Sequence, residues 1–427
     1  MSSVTEQTTI TNKERNIIRE LAKRQAEIAA LPVMAERLPL WYDLNDGVAA
    51  HPLVTMEFHG LEQEVYPPPV CENAFAQSLE RQIGQMIYKH EHYRDDRVVP
   101  DYVSVHIPNH FTSFGHKTSS YHTRGADGSE GLGYMYDHVV ADFEADFHVF
   151  GPSVYTVDKG LEKANQMKAM AEDILGGILK VRMEFPSVTY DPANAFIRMM
   201  GMETLFCSIM DYPGLFHKAM RSLTDGVHAF IDAMEAGGAI LPNNDGSRVN
   251  QDSYGYTHDL PGPGELDRPA RLSDVWGYSN SQETVGMSVP MFDEFFFTYM
   301  EEFANRCGLF AYGCCEPVHE LWPRCLSRLK NLRKLSISPW CDEEAIGEMI
   351  RGTKICYHRK PSPNFISVDS VFDEDGFLAH MKRTVLAARG CPLEVTFRDV
   401  TSVRGDPGRL TRAVELTREA FARWWQN

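Results

Sequence analysis

One phrase, repeated through the last third of the chain, constrains its fold more than any other feature: a short β-rich run, a polar loop, then a helical stretch. Val275 to Ser281 leads to a helix over Pro290 to Arg306, and Leu309 to Gly313 to a helix near Val318 to Leu329. Leu332 to Ser338 precedes Asp342 to Arg351, Thr353 to His358 precedes Asp373 to Arg389, and Leu393 to Arg398 precedes Pro407 to Trp425. Strand and helix alternating through short connections demand parallel pairing and right-handed crossovers. Five such units in succession predict a (β/α)8 barrel over residues 101–427. No glycine-rich phosphate loop follows any strand, which weighs against a dinucleotide-binding open sheet.

Upstream the pattern is less regular. Asn12 to Leu31 reads as an amphipathic helix with Asn12 as N-cap and Ile17, Ile18, Leu21, Ile28 and Leu31 on one face. Residues 36–100 are rich in Pro, His and aromatics without a clean period, so residues 1–100 are expected to form a mostly helical extension packed on the barrel. Asp101 to Ile107 and His148 to Tyr155 read as strands, Val157 to Lys180 and Pro213 to Ala236 as helices, the latter stopped by Gly237-Gly238. Pro242 to Pro263 is a long polar, aromatic loop suited to a lid or a recognition segment.

Composition narrows the function. A net charge of −17 argues against a nucleic-acid binder, which needs Lys and Arg gathered on one face. No apolar run reaches membrane-spanning length and the N-terminus has no apolar core of a signal peptide, so a cytoplasmic protein is expected. Nine cysteines then read as reduced thiols.

In a β/α barrel the chemistry lies in the loops after the strands. These carry Asn280, Ser281, Gln282 and Glu283; then Tyr312, Cys314, Cys315 and Glu316; then Cys341 and Asp342; then His358, Arg359 and Lys360; and finally Asp399. Thiols, carboxylates and imidazoles from neighbouring strands could converge on one ion or substrate, zinc being the natural ion for such a mixed set. Plainer roles compete: vicinal cysteines as core filler, and Glu283, Glu316 and Asp342 as favourable charges at helix starts, with Asp342 read as a cap. Cys356, His358 and Lys360 alternate on one face of their strand, and at least one is expected to point outward. Arg359 and Lys360 could be solvated or could hold a carboxylate. His106 reads as a core histidine, and His110 and His258 say little.

The segments Tyr312 to Pro317, Asn331 to Trp340, Arg359 to Pro363 and Arg404 to Leu410 together resemble the uroporphyrinogen decarboxylase superfamily, in particular its branch of corrinoid-dependent methyltransferases. The resemblance runs over roughly Phe185 to Trp425 and fades towards the N-terminus. The true decarboxylases carry an arginine-rich motif where this chain has Arg37 to Asp43, which lacks those arginines, so tetrapyrrole decarboxylation is not implied. The zinc methyltransferases use a His-x-Cys pair and a later Cys. Here Cys314 matches the first Cys, Tyr312 stands at the His position, and Cys391 and Asp399 compete for the last.

The resemblance thus implies zinc held by Cys314, Glu316 and either Cys391 or Asp399. Glu283, Glu316, Tyr312 and His358 are the catalytic candidates, and Asn280, Gln282, Arg359 and Lys360 the substrate-binding ones. The implied reaction moves a methyl group from a small methoxylated substrate, aromatic ones included, to the cobalt of a separate corrinoid protein. Two rivals remain open: a metal-independent decarboxylase or other lyase of a small carboxylic acid, and a catalytically inert barrel that serves as a binding subunit. A homodimer is compatible with all three.

Overall fold

The computed structural model describes residues 10–48, 50–58, 60–108, 110–124, 130–185 and 188–425. Nine strands build its centre: β1 (Leu53–Met56), β2 (Tyr102–His106), β3 (Lys180–Glu184), β4 (Val188–Thr189), β5 (Trp276–Ser279), β6 (Leu309–Tyr312), β7 (Leu332–Ile337), β8 (Cys356–Arg359) and β9 (Leu393–Phe397). Seven form one sheet in the order β1-β9-β8-β7-β6-β5-β4, parallel throughout. β2 and β3 pair, also parallel, in a sheet of their own. The five C-terminal strand-to-helix units stand as the sequence predicts, except that Val318 to Leu329 holds only a four-residue helix and a short 3-10 turn.

Four expectations about strands and helices change. Residues 36–100 are more than an extension: Leu53–Met56 is an edge strand of the main sheet, in register with β9 from Leu53 opposite Glu394 to Met56 opposite Phe397. His148 to Tyr155 contributes no central strand; Val154–Thr156 pairs antiparallel with His110–Thr112 outside the sheet. The helix expected to run to Lys180 ends at Leu175 with Gly176 in the left-handed region, which frees Lys180 to start β3. At the N-terminus the cap is Thr11, its hydroxyl accepting from Glu14 N while Glu14 reaches back to Thr11 N, and the helix spans Asn12–Ala29.

Among the described residues β1 does not pair with β2, nor β3 with β4. In β1 the even residues face away from β9, and their backbone groups find other partners. Val54 N donates to Asp96 Oδ2 at 2.8 Å, Met56 N to Asp95 Oδ2 at 3.0 Å, and Met56 O accepts from Arg97 Nη2 at 2.9 Å. On the free side of β2 the Gln82 amide meets both backbone groups of Ser104, at 3.0 and 3.2 Å, while Gln25 donates to the carbonyls of Pro100 and Tyr102. Strand edges must be paired or covered, and here side chains cover both. A cavity of about 250 Å³ lies beside the free edge of β2, lined among others by Gln82, Lys89, Arg97, Ser104, His106 and Arg248.

The loop 242–263 does not cover the carboxyl ends of the strands. It follows the helix Pro213–Ala236 and precedes β5, which puts it at the amino ends of the strands. Asn243 bonds the backbone of Trp276, the first residue of β5; Asn45, ahead of β1, donates to Tyr254 O and Tyr256 O; and Asp259 pairs with Arg333 at the start of β7. From there the hairpin Arg248–Asn250/Ser253–Tyr254 reaches inward, where Ser253 meets Glu394 and Lys334, and Gln251 bonds the Tyr278 hydroxyl. The loop is a plug rather than a lid.

Candidate functional site

Strand alternation assigns the inward face. Lys334, Ser336 and Ser338 on β7 and just past it, Cys356, His358 and Lys360 on β8, Glu394, Thr396 and Arg398 on β9, and Thr55 and Glu57 on β1 fall on one side of the sheet. Cross-strand bonds confirm it: Lys334 Nζ to Glu394 Oε2 at 2.8 Å, His358 Nε2 to Thr396 Oγ1 at 2.8 Å, and Thr55 Oγ1 to Thr396 Oγ1 at 2.9 Å. Cys356, His358 and Lys360 are therefore all inward and all buried, so the expectation that one points outward fails. The outward residue of this stretch is Arg359. Its guanidinium pairs with Glu343 at 2.8 Å and donates to the carbonyls of Ile337 and Ser338. It ties the sheet to the helix Glu343–Ile350 and does not reach the site assigned to it.

At the carboxyl end of this face the groups gather around Cys314 and Cys315. Gly313, with φ of 101° and Ser336 Cβ only 3.1 Å from where its own Cβ would be, turns the chain after β6. The two sulfurs then lie 3.6 Å apart, Cys314 buried and Cys315 half-buried. Arg398 Nη1 approaches Cys314 Sγ at 3.5 Å, and its Nε lies 3.5 Å from Glu57 and 3.3 Å from Asp399. Contact with Cys315 and burial push the Cys314 thiol up, and the same contact pulls the more accessible Cys315 down, so Cys315 ionises more readily than Cys314.

Lys360 completes the group. Its backbone N–H continues the ladder to Ile337 O at 2.9 Å, which drives its side chain inward. The amine is 2% exposed, and Nζ has no hydrogen-bond partner among the described residues. Burial pushes its pKa down to about 8, Arg398 adding to the shift while Cys314, Cys315 and Glu316 oppose it.

Glu316 has a different task from any foreseen. One carboxylate oxygen accepts from Ser281 N at 2.9 Å and the other from Cys314 N at 2.8 Å. It clamps the loop after β5 to the loop after β6, while Pro317, not Glu316, occupies the cap of the short helix Val318–Leu321. Tyr312 shares a 2.6 Å hydrogen bond with Ser281 and is fully buried. Glu283 accepts from Asn194 at 2.9 Å, leaving Oε2 buried without a partner. Gln282 is exposed, and Asn280 N donates to Asp191 Oδ1 at 2.9 Å. Burial pushes the Asp191 carboxyl up to about 8, the hydrogen bond from Asn280 N opposing the shift while Glu283, Glu316 and Cys314 add to it.

His358 lies one layer deeper, its Nδ1 without a partner and its pKa held well below the usual range by burial. His106 is exposed at the end of β2, not a core residue, and His258 pairs with Asp46 at 2.6 Å at the opposite end of the sheet. Asp342 caps its helix, accepting from Glu344 N and Ala345 N.

Zinc does not fit this donor set. Both Glu316 oxygens are engaged by backbone amides, the half-exposed Asp399 carboxylate turns to Arg398, and a guanidinium flanks Cys314. Cys391 precedes β9, with its Sγ 3.7 Å from Gly347 O, whereas Cys314 follows β6. In a parallel sheet these are opposite ends. Among the described residues no three His, Cys, Asp or Glu side chains converge on one point.

Asp191, Glu57 and Arg398 were not singled out by the sequence. Asp191 stood before Pro192 at a helix start, an ordinary capping pattern; Glu57 fell within the supposed extension; and Arg398 looked like the last residue of a strand.

No protein-family model matches the chain, and no curated protein matches it. Among solved structures, a methyltransferase from Methanosarcina mazei superposes with a TM-score of 0.49 at 12% identity, over 90% of this chain and 99% of that one. A likeness that distant does not bear on chemistry. Among the described residues no helix is long and apolar enough to cross a membrane.

Proposed function

We propose that the chain is an enzyme that moves a methyl group from a small methoxylated substrate to the cobalt of a separate corrinoid protein, with the substrate seated at the carboxyl end of the sheet. We read its two sheets as one β/α barrel, with β3 and β4 following one another closely along the chain and side chains covering the edges of β1 and β2. The observation that carries the reading is the Lys360 amine, buried and unpartnered beside the thiol pair and Arg398. Demethylating an ether leaves an alkoxide or phenoxide, which departs slowly unless a proton reaches it. An ammonium poised near 8 and shielded from water is suited to supply that proton. Arg398 favours the developing charge, and Glu316 fixes the two loops against which the substrate would lie. The corrinoid supplies the nucleophile; every other requirement falls on this chain's own residues, and none needs zinc.

A cobalt(I) corrinoid protein mixed with this chain and a panel of methoxylated aromatics should lose its characteristic absorbance as methyl-cobalt forms. Lys360→Gln should slow that change roughly a hundredfold or more. If no donor in the panel methylates cobalt, the reading fails. A second reading then leads, supported by the pairing of Lys360 with Arg398: a decarboxylase in which these two cations hold a carboxylate, detected as carbon dioxide released without corrinoid.

A further inference from the structure

We infer that Cys314 and Cys315 form a reversible two-electron redox site, oxidised by peroxide to a disulfide between adjacent residues. Three features of the site converge. The sulfurs are already at 3.6 Å, so closing the bond needs only a small movement. Cys315 is half-buried, open enough for a small oxidant, whereas Cys71, Cys307, Cys325, Cys341, Cys356 and Cys391 are buried. Arg398 stands 3.5 Å from Cys314 Sγ, a cation placed where sulfur charge develops during the exchange.

The chemistry balances. The Cys315 sulfur attacks one peroxide oxygen, the O–O bond breaks, and after protonation water leaves a sulfenic acid. The Cys314 sulfur then attacks the Cys315 sulfur, the S–O bond breaks, and the hydroxyl departs as a second water with the Cys314 proton. Two thiols have lost two electrons and one peroxide has gained them.

Adjacent α-carbons are about 3.8 Å apart across a trans peptide, whereas disulfides usually span about 4.4 to 6.8 Å. The bond is therefore strained and readily reduced, as suits a switch and not a structural staple. It would also withdraw the thiol from Arg398 and so alter the mouth next to Lys360.

The test reads the thiols themselves and does not depend on the methyl-transfer proposal. The full chain is treated with hydrogen peroxide, free thiols are blocked, and the peptide holding Cys314 and Cys315 is weighed. It should be lighter by about 2 Da and unlabelled, and should regain both thiols with dithiothreitol. Phenylarsine oxide, which needs two neighbouring sulfurs, should bind the reduced chain and neither the oxidised chain nor Cys314→Ser. In Cys314→Ser, oxidation should stop at a Cys315 sulfenic acid that dimedone traps. Oxidation confined to the exposed Cys207, a Cys314–Cys315 peptide that remains fully reduced, or one that passes irreversibly to sulfonic acid would each overturn the inference.

Discussion

Glu316 and Lys360 are both acid–base residues near one mouth, yet their surroundings assign them opposite work. Glu316 has two backbone donors and no spare oxygen. Glu316→Gln replaces one acceptor oxygen with an amide NH2 that faces an N–H, so it should lower stability by about 1 to 3 kcal/mol, the cost of a buried donor left unmatched. Turnover should fall with it because the loops of Ser281 and Cys314 come apart. Urea denaturation tests this, and a variant as stable as its parent would remove the clamp. Lys360 has no partner and a pKa near 8, against about 10.4 for an unfolded lysine. Between those values the unfolded chain retains a proton that the folded chain has released. Lys360 thus lowers stability below pH 8, and the penalty lifts as pH rises toward 10, by up to about 3 kcal/mol. Lys360→Met should therefore be more stable than the parent at pH 7 and lose most of that advantage near pH 10. In the parent, methyl transfer should decline as pH rises through about 8, because the proton donor is lost.

At the scale of elements, the side chains that cover the edges of β1 and β2 are part of the design. Gln82 serves the Ser104 N–H and carbonyl at once, which no apolar side chain can do. Gln82→Ala should cost about 2 kcal/mol through two unpaired backbone groups. Gln82→Glu should recover part of this, since it keeps the acceptor for Ser104 N. Amide exchange at Ser104 measures both; equal protection in all three proteins would mean that water fills the role. Elements were legible in proportion to their regularity. From β5 onward, buried runs of four to six residues alternate with helices, and the period alone located them. β1, only four residues long between Pro-rich stretches, carries no such signal, and its place beside β9 depends on pairing across some 340 positions. The plug misled because a long polar loop reads alike at either end of a strand; only the order of helix before loop and strand after it fixes the end. In the site, Cys314, Glu316 and Lys360 were visible as residues past strand ends. Arg359 was misassigned because one residue of register moves a side chain to the other face, and Asp191, Glu57 and Arg398 acquire their importance only from neighbours on distant strands.

For the molecule as a whole, the plug, the β1 edge and the helix Ala74–Tyr88 meet at one carboxylate. Asp252 sits at the hairpin tip with a left-handed φ of 57° and is almost wholly buried. It pairs with Lys89 and Arg97 at 3.3 Å each and with Arg248 at 3.1 Å. Arg97 in turn holds Asp95 and Met56 O on the β1 side, and its Nη1 donates to Tyr254 back in the hairpin. Against the cost of burial, three cations around one anion hold the Asp252 carboxyl far below the usual carboxylate range. Removing it would leave the buried Lys89 without the one ion-pair partner it has among the described residues and weaken the restraint on Arg97. Asp252→Ala should cost about 3 to 5 kcal/mol, the scale for breaking a buried pair by deleting one member. Relief of the left-handed backbone offsets little of this, because alanine is no easier there. Asp252→Asn keeps the shape and one acceptor and should fall between parent and Ala. The loss should also be spread across elements: hydrogen exchange should rise in the hairpin 248–254, at Val54 and Met56 on the free edge of β1, and at the end of the helix near Lys89. Were it confined to the hairpin, the plug would be a passive filler of the interior, and the closure of the molecule on this side would rest on Gln25, Gln82, Asp95 and Asp96 alone.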